Sequence, residues 1–411
     1  MAPVLADSII FILLTILRYS IFLIYYLFVS LDLGMLYGMP AKLSWRMGAV
    51  VTCAILCFVG CVVFVNMPAP EDVCAGEVDS DVASGDLALI NQSVPAPFDF
   101  SDLMVFTGNE LVSRELEIRG NFSDILSSSA QRVRPPLHCP AHGYRFRETP
   151  LALFEGVLFN VEVDMLEAHL EESFMAVDAF VVVESPYTFQ GNPKPLVFKN
   201  HLHRFAKYRH KIIHVVLPSR SDSDVQQERD MRNAIAASLN AIGVGPDSVL
   251  ITSDADEIVA LEKLWILKFC EIPNVGTFHL KFFYYSLHYS FPVGWFAVHW
   301  APLASISADN TPDTLRFGPG SKSNFVLHDA GWHCSFFGDE AFIANKLHSY
   351  APGTDLFKGP PYDNPAYIRC AIRHGRDIFG RPGAGLVRVD TLDGPYAFFA
   401  VSHLRNLFLL W

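Results

Sequence analysis

A short acidic segment, Asp254-Ala255-Asp256-Glu257, carries the strongest chemical signal in the chain. It directly follows residues 249–252, a short run whose apolar composition predicts a buried strand. Ligands of α/β sheets bind at the carboxyl ends of strands, so acids at that position indicate a site. Hard divalent cations prefer oxygen ligands and are commonly held by one or two carboxylates together with substrate phosphates. The alternative is a solvated acidic turn, and the surrounding sequence has to decide between the two.

The overall composition is that of a folded, acidic protein. Of the 411 residues, 51% are hydrophobic and 18% are charged, which is enough apolar material for a full core. The formal net charge of -12 argues against binding to nucleic-acid phosphates, and the sequence shows no basic recognition stripe. We therefore expect one large domain with additions, and no nucleic-acid partner.

The N-terminal region predicts a membrane anchor. Residues 47–65 contain no charged side chain and are long enough to cross a bilayer. Residues 8–29 are a candidate second span, interrupted only by Arg18. Lys42 and Arg46 precede residues 47–65 and acidic residues follow them, so the positive-inside rule places the C-terminal bulk in the lumen. That placement is the same for one span and for two.

Cysteines, glycosylation sequons and composition divide the rest of the chain. Five of the eight cysteines follow the predicted span, so at least one thiol is left over, and the sequence does not fix any pairing. Sequons at Asn91 and Asn121 fit a glycosylated lumenal stem. We predict an anchor over residues 1–67, a stem over 68–138 with a possible short helix near 103–118, and a compact domain over 139–411.

Strand and helix patterns alternate from residue 153 onward. Apolar runs predict strands at 154–159, 179–184, 211–217, 249–252 and 276–283, and amphipathic periodicity predicts helices at 164–174 and 225–242. Such alternation is typical of an α/β fold with a mostly parallel central sheet. The acidic segment would then lie at the carboxyl edge of that sheet.

Several separated blocks of the sequence form a recognisable pattern. They are CPAHG at 139–143 with FEGVLFNVEVDMLE at 154–167, VESPYTFQGNPKPL at 183–196, ERDMR at 228–232 with SDADEI at 253–258, and AGWHCSFFG at 330–338 with Lys346-Leu347. These blocks resemble those of one enzyme family, the β-1,4-mannosyl-glycoprotein 4-β-N-acetylglucosaminyltransferases, known for adding bisecting N-acetylglucosamine. Their order within residues 139–390 argues against chance. Residues 301–324 match nothing in the family pattern, which leaves the acceptor open.

The resemblance implies a GT-A type fold in a Golgi membrane protein whose catalytic domain, residues 139–411, is lumenal. It implies transfer of N-acetylglucosamine from UDP-N-acetylglucosamine to a mannose of a glycoprotein N-glycan, in β-1,4 linkage and with inversion. In such enzymes an Asp-X-Asp element holds Mn2+ or Mg2+ against the donor diphosphate, where the metal neutralises charge on the departing nucleotide. Asp254 and Asp256 match this element. Asp256 is the expected metal ligand, and Asp254 is expected to assist through ribose or bound water.

Further residues are candidates for binding the donor. Glu184 and Ser185 end a predicted strand where nucleotides bind, and Lys194 lies between two stiffening prolines. Arg232 is a candidate for the diphosphate, while its alternative is an ordinary i,i+4 pair with Glu228. Glu184 has an alternative as a cap for the turn that follows, and Lys194 as a surface lysine.

The last candidates concern the sugar and the catalytic base. Trp332 could stack on a sugar and His333 could donate to a phosphate or hydroxyl, with buried packing as the alternative. An inverting transfer needs a carboxylate that takes the proton from the acceptor hydroxyl. The candidates in this region are Asp329, Asp339 and Glu340. Glu257 is a further catalytic candidate that could orient the metal shell or pair with Arg229 or Arg232, with a structural salt bridge as its alternative.

Two other interpretations stay open. The first is a UDP-hexose transferase that acts on another glycan, and a screen of donors would identify it. The second is a noncatalytic glycan-binding membrane protein, which the intact Asp254 and Asp256 argue against. A metal-dependent phosphohydrolase is disfavoured because the chain lacks the His-rich ligand sets of two-metal hydrolases. The oligomeric state is not determined by the sequence.

Overall fold

Thirteen strands of the described chain form one sheet. The computed structural model describes residues 103–106, 111, 115–120, 122, 138–317, 325–349, 361–381, 385–389 and 393–405. In chain order the strands are β1 (Leu103–Phe106), β2 (Leu116–Arg119), β3 (Leu153–Leu158), β4 (Ala179–Glu184), β5 (Ile212–Val216), β6 (Val249–Asp254), β7 (Glu257–Val259), β8 (Gly276–Tyr284), β9 (Ser286–Ser290), β10 (Trp295–Pro302), β11 (Val326–Leu327), β12 (Gly331–Ser335) and β13 (Val387–Arg388).

Helices cover the sheet and connect its strands. In the described residues they are α1 (Val163–Ser173), α2 (Val197–Asn200), α3 (Asp224–Ala241), α4 (Leu261–Phe269), α5 (Pro312–Phe317), α6 (Glu340–Leu347), α7 (Pro365–Arg373) and α8 (Tyr396–Ala400), with 3-10 segments at Cys139–His142, Leu202–Lys211, Leu303–Ser305 and Ser402–Arg405. Side-chain caps fix the starts of α3, α6 and α7, which follow Ser223, Asp339 and Asn364. The strands and helices predicted from residue 153 onward are confirmed, with boundary shifts of a few residues.

The centre of the sheet is four parallel strands in the order β5-β4-β3-β6. Residues of β3, β4 and β5 are buried throughout, as expected for parallel strands covered on both faces. Leu158 lies opposite Val183 on one side and Asp254 on the other, and Glu184 lies opposite Val216. The carboxyl ends of all four strands therefore meet at one edge, which we call the carboxyl edge.

The sheet as a whole is mixed, whereas the sequence pattern predicted a mostly parallel one. β10 runs antiparallel to β6 and to β8, and β7 runs antiparallel to β12. β8, β9 and β10 follow one another through short connections, and both β9 and β10 pair antiparallel with β8 rather than crossing over the sheet. The β7–β12 pair places Glu257 opposite His333, and so brings the acidic segment against the last family block.

The expected helix near residues 103–118 is wrong, because β1 and β2 occupy its ends. β2 pairs with β5 and places Ile118 opposite Val215. Leu116 and Ile118 are buried and their neighbours are half-exposed, which is the two-residue period of a strand. Pairing with the edge of the sheet thus decided the local structure. Both strands lie inside the range predicted as stem, and the domain bounds themselves stay a prediction.

Two further predictions concern the membrane and the cysteines. Among the described residues, no helix combines the length and the apolar character that a membrane crossing requires. The predicted spans, residues 8–29 and 47–65, lie outside the described residues. Cys139 and Cys270 form a disulfide across 131 residues of sequence, and Cys370 is also disulfide-bonded. Cys334 is a buried free thiol.

Helix α3 packs so closely on the central strands that β3 has no room for a side chain at Gly156. A methyl group there would lie 2.3 Å from Ile235 Cγ2. Gly156→Ala should therefore lower the free energy of unfolding by about 1–3 kcal/mol, the usual range for an overpacked core. Urea denaturation followed by tryptophan fluorescence measures this. Gly245→Ala is the matched control, because open space surrounds Gly245; equal stability of the two variants would contradict the prediction.

Candidate active site at the carboxyl edge

The acidic segment forms a tight turn between β6 and β7. Asp254 is the last residue of β6 and Glu257 is the first of β7. The backbone N–H of Asp254 donates to Glu257 Oε2 at 2.8 Å, which closes the turn. The carbonyl of Asp256 accepts a hydrogen bond from the N–H of Cys334 at 2.8 Å, which ties the turn to β12. Three carboxylates are therefore concentrated at the carboxyl edge.

Arg316, a buried residue of α5, neutralises two of these carboxylates. Its Nη1 donates to Glu257 Oε2 at 2.7 Å, and its Nη2 donates to Glu257 Oε1 and, at 2.7 Å, to Asp254 Oδ2. Burial by itself would raise the pKa of Glu257, but the contact with Arg316 outweighs burial and holds the pKa at about 2. Glu257 is thus an ionised partner of Arg316, as in the salt-bridge alternative for this residue.

Arg232 holds Asp254 from the other side. Its side chain is fully buried on α3, and Nη1 donates to Asp254 Oδ1 at 3.0 Å. Its Nη2 donates to Glu228 Oε1 at 2.6 Å, which is the predicted i,i+4 pair. Both carboxylate oxygens of Asp254 therefore accept from arginines, while about a third of that side chain remains exposed.

Asp256 belongs to a second set of charges. Lys346 Nζ donates to its Oδ2 at 2.7 Å, and His333 Nε2 lies 3.6 Å from its Oδ1. Burial favours a neutral carboxyl, but Lys346 and His333 together hold the pKa of Asp256 well below its usual range. His333 is itself held in place by Phe282, which stacks on its ring, and by the tilted ring of Trp295, each with its centroid 4.4 Å away. Asp256 is consequently an ionised, oriented carboxylate.

A buried pair beneath the turn fixes its backbone. His169 of α1 lies 2.9 Å through Nε2 from Glu155 Oε1 of β3, and 3.2 Å through Nδ1 from the carbonyl of Ala255. Burial opposes protonation, yet the charge and hydrogen bond of Glu155 raise the pKa of His169 above its ordinary value. The protonated ring can donate to both acceptors at once. It therefore anchors the residue between the two aspartates.

The donor atoms of the Asp-X-Asp element suit a substrate-bridged divalent cation. Asp256 Oδ1 faces His333 at 3.6 Å, longer than a hydrogen bond, and its carboxylate is held ionised. Within the part of the chain that the structure describes, no three His, Cys, Asp or Glu side chains are grouped to hold a metal by themselves. Hard cations in nucleotide sites commonly take one or two carboxylates, with phosphate oxygens and waters as the other ligands. The element fits that arrangement and is not a complete protein cage.

The predicted nucleotide residues lie along the same edge but differ in exposure. Glu184 is buried and accepts from the N–H groups of Phe198 and Lys199 at 3.1 Å each, so it caps the start of α2 rather than the turn directly after β4. Ser185 is also buried, and its hydroxyl accepts from Gln227 at 3.2 Å. Lys194 is half-buried. Burial lowers its pKa, although the charges of Glu184 and Glu162 act in the opposite direction. Its ammonium group forms no ion pair with the described residues.

The structure separates the other candidates from the Asp-X-Asp turn. Trp332 donates from Nε1 to Asp393 at 3.1 Å, on the opposite face of β12 from its neighbour His333. Asp339 caps α6 through the N–H of Phe342 at 2.8 Å, and Glu340 accepts from Arg369 at 2.6 Å. Asp329 has a positive φ of 48° in the turn before β12. The identity of the base remains a prediction.

Three residues of this site escaped the sequence analysis as candidates. Arg316 lies in a stretch without family resemblance, and its only local signal is a charge between Leu315 and Phe317. Lys346 was noted only as part of a block. Glu162, which lies 3.1 Å from Lys346, was one acid among several in an amphipathic segment. Their partners are distant in sequence, so spacing could not reveal them.

Comparison with known proteins places the chain in a family. Residues 118–382 match the family model described as Glycosyltransferase family 17, which is more than half of the 411 residues. The chain belongs to glycosyltransferase family 17. The matched segment contains the whole Asp-X-Asp turn with Arg232, Arg316 and Lys346.

Curated relatives in the family share a single description. They are the beta-1,4-mannosyl-glycoprotein 4-beta-N-acetylglucosaminyltransferases of Rattus norvegicus, Mus musculus and Homo sapiens, each 29% identical over 262 residues. The alignment covers 56% of this chain and 48–49% of each relative. The chain thus spans about half the length of the curated relatives it matches. The resemblance to this family found in the sequence blocks is confirmed.

Removing Arg316 should be costly, because Glu257 would be left as a buried charge without its partner. We expect Arg316→Met to lower the free energy of unfolding by about 3–5 kcal/mol, although methionine replaces much of the volume. Chemical denaturation measures the change. Arg145→Ala is the control, since that side chain is 87% exposed in its pair with Glu271. A loss in Arg316→Met no larger than in the control would show that this pair does not hold the turn.

The low pKa of Glu257 predicts a dependence of stability on pH. A carboxyl whose pKa is about 2 in the folded state and 4.5 ordinarily stabilises the fold above pH 4.5, and the stabilisation is lost as pH falls toward 2. Wild type should therefore lose about 3 kcal/mol more than Glu257→Gln over that interval. Denaturation curves at a series of pH values test this, with exposed Glu148→Gln as the control. Parallel curves for wild type and Glu257→Gln would contradict it.

Proposed function

We propose that this protein is a GT-A type glycosyltransferase that moves N-acetylglucosamine from UDP-N-acetylglucosamine to a mannose of a glycoprotein N-glycan, forming a β-1,4 linkage with inversion. Family membership supports sugar transfer from a nucleotide-sugar donor. The printed names of the relatives support the transferred sugar and the mannosyl acceptor. The GT-A type assignment rests on the parallel strands β3 to β6 with an Asp-X-Asp element at their carboxyl ends.

One observation carries this proposal. Asp256 is a buried carboxylate, held ionised by Lys346 and His333, at the edge of the sheet where nucleotides bind. A solvated acidic turn would need neither burial nor cationic partners. The cluster therefore favours a binding site over a solvated acidic turn.

Asp256, with assistance from Asp254, would hold Mn2+ or Mg2+. When bound, such an ion neutralises negative charge that develops on the departing diphosphate. Lys194 is the cation at the carboxyl edge best able to approach the donor phosphates, because no described carboxylate pairs with it. Burial lowers the pKa of Lys194 because it removes water from the ammonium group. A bound phosphate would give that group charged hydrogen-bond acceptors in place of the lost water.

The disulfide between Cys139 and Cys270 supports a lumenal location for the catalytic domain. Disulfides of this kind form and persist in oxidising compartments. Together with the predicted anchor over residues 1–67 and stem over 68–138, it supports a Golgi membrane protein with residues 139–411 in the lumen. The glycoprotein acceptor would then be available in the same compartment.

The first test measures release of UDP from UDP-N-acetylglucosamine by the purified full-length protein with Mn2+. Wild type should release UDP slowly without an acceptor, and Asp256→Ala should reduce the rate by a factor on the order of 100 or more. Asp247→Ala is the matched control, because Asp247 is exposed in the turn before β6. Calorimetry with UDP and Mn2+ accompanies the assay.

The outcomes separate the alternatives. Release from another UDP-hexose but not from UDP-N-acetylglucosamine would overturn the donor assignment. Absence of both release and Mn2+-dependent UDP binding in wild type would favour a noncatalytic glycan-binding protein. Equal rates in wild type and Asp256→Ala would remove the Asp-X-Asp element from the mechanism.

A further inference from the structure

A cavity of about 320 Å³ includes Glu162 in its lining. Glu162 contacts Lys346, which also contacts Asp256 of the Asp-X-Asp turn. The loop after β3 and the start of α1 form one wall, and the residues from Phe337 to Phe342 form another. Gly338 lets Phe342 pack closely within the second wall, since a methyl group on Gly338 would lie 2.3 Å from the ring of Phe342. The volume is at the small end of ligand-binding cavities, roughly 300–1,000 Å³, and suits a small ligand rather than a nucleotide sugar.

The charges around the cavity disfavour a diphosphate. Glu162, Asp164 and Asp339 line it together with Arg204 and His403. Arg204 pairs with Asp164 at 2.7 Å and also with Glu167, and His403 lies 2.9 Å from Glu167. Both basic side chains of the lining therefore already face carboxylates, and a phosphate would compete with those carboxylates. Carboxylates instead accept hydrogen bonds from hydroxyl groups, so a neutral polyhydroxylated ligand is favoured.

Apolar surface in the same cavity suits the ring of a sugar. Phe337 and Phe342 line it together with Met165 and Val163. Sugars present both C–H faces and hydroxyl groups, so an aromatic wall beside carboxylate acceptors matches both. The cavity has the chemistry expected for a hexose unit.

Lys346 connects this cavity with the Asp-X-Asp turn. Its Nζ lies 3.1 Å from Glu162 Oε1 and 2.7 Å from Asp256 Oδ2. Both carboxylates contact the same ammonium nitrogen. The distance between Glu162 Oε1 and Asp256 Oδ2 is therefore at most the sum of these two contacts. Glu162 is therefore the cavity carboxylate that directly neighbours the proposed donor diphosphate site. A hydroxyl bound near it would lie close to the bond that is broken.

The geometry points to this cavity as the site of the acceptor sugar, with Glu162 as the carboxylate that takes the proton from the attacking hydroxyl; this inference rests on the proposed function. As the acceptor O–H bond breaks, its proton moves to Glu162. The acceptor oxygen forms a bond to the anomeric carbon of the donor sugar. The bond from that carbon to the diphosphate breaks, and its electron pair leaves on the diphosphate oxygen.

Glu162 is better placed for this step than the earlier candidates. Its Oε1 contacts Lys346, and its Oε2 accepts from the N–H of Val161 at 2.9 Å, which orients the carboxylate. Each oxygen keeps a second lone pair for a hydroxyl proton. Asp339 lines the cavity too, but it caps α6 and contacts neither Lys346 nor the Asp-X-Asp turn. Glu340 pairs with Arg369 and does not line the cavity.

The experiment compares full-length wild type with Glu162→Gln, Phe342→Ala and the exposed control Glu148→Gln. Three quantities are measured for each: affinity for UDP with Mn2+, affinity for a mannose-terminated N-glycan without donor, and the steady-state constants for transfer. Glu162→Gln should lower kcat for transfer by a factor on the order of 100–10,000, with acceptor KM and UDP affinity close to wild type. Thermal unfolding establishes that each variant is folded.

Phe342→Ala tests the cavity independently of the base. It should weaken glycan binding and raise acceptor KM by about 10-fold or more, through loss of an aromatic wall, while UDP affinity stays unchanged. Glu148→Gln should match wild type in all three measurements. Glycan binding is measured without donor, so it remains informative for a protein that performs no transfer.

The results distinguish failure of this inference from failure of the proposed function. Wild-type kcat in Glu162→Gln would overturn the assignment of the base. Glycan affinity unchanged in Phe342→Ala, or absent in wild type, would overturn the acceptor cavity. Glycan binding that depends on Phe342, without any UDP binding by wild type, would support the cavity and overturn the transferase function.

Discussion

The contact between Arg316 and the carboxylates of Asp254 and Glu257 is the interaction on which the rest of the site depends. A buried carboxylate is stable only when it is paired and hydrogen-bonded. Arg316 meets Glu257 through two nitrogen atoms and reaches Asp254 with one of them. Helix α5 must therefore lie against the end of β6, and the turn between β6 and β7 is held in one conformation.

The two aspartates of the Asp-X-Asp element have different surroundings, and this difference suggests a division of roles. Asp254 is held on both oxygens by arginines that also neutralise structural acids. Asp256 contacts Lys346 and faces His333, and Lys346 also contacts Glu162. The first aspartate thus joins the charge network that shapes the fold. The second is connected, through Lys346, to the cavity.

The antiparallel half of the sheet brings side chains from several distant strands to the end of β6. A purely parallel sheet would place Glu184, Leu158 and Asp254 along one edge with nothing facing them. The β7–β12 pairing sets His333 opposite Glu257. Parallel pairing of β12 with β8 places His333 next to Phe282, whose ring stacks on the imidazole. The region after β12 then leads into the cavity walls and α6, so the Asp-X-Asp turn and the cavity are linked through Lys346.

The sequence by itself determined the parts that depend on local pattern. Apolar runs and helical periodicity located the strands and helices from residue 153 onward, because these patterns reflect burial of one face or of both. The acidic segment at the end of β6 and the family blocks indicated the candidate site. The sequence also allowed Arg232 a pair with Glu228, since residues four apart share a helix face.

Only the tertiary structure decided which side chains meet across the fold. Arg316 and Glu257 are separated by 59 residues, and Lys346 and Asp256 by 90, so no local period relates them. Residues 103–106 and 116–119 became strands because β2 pairs with the open edge of β5, not because their own pattern required it. The disulfide partner of Cys139 and the cavity beside Glu162 likewise depend on contacts between segments that are distant in sequence. These contacts form only when distant segments pack together, because their stability comes from shared burial and charge rather than from local propensity.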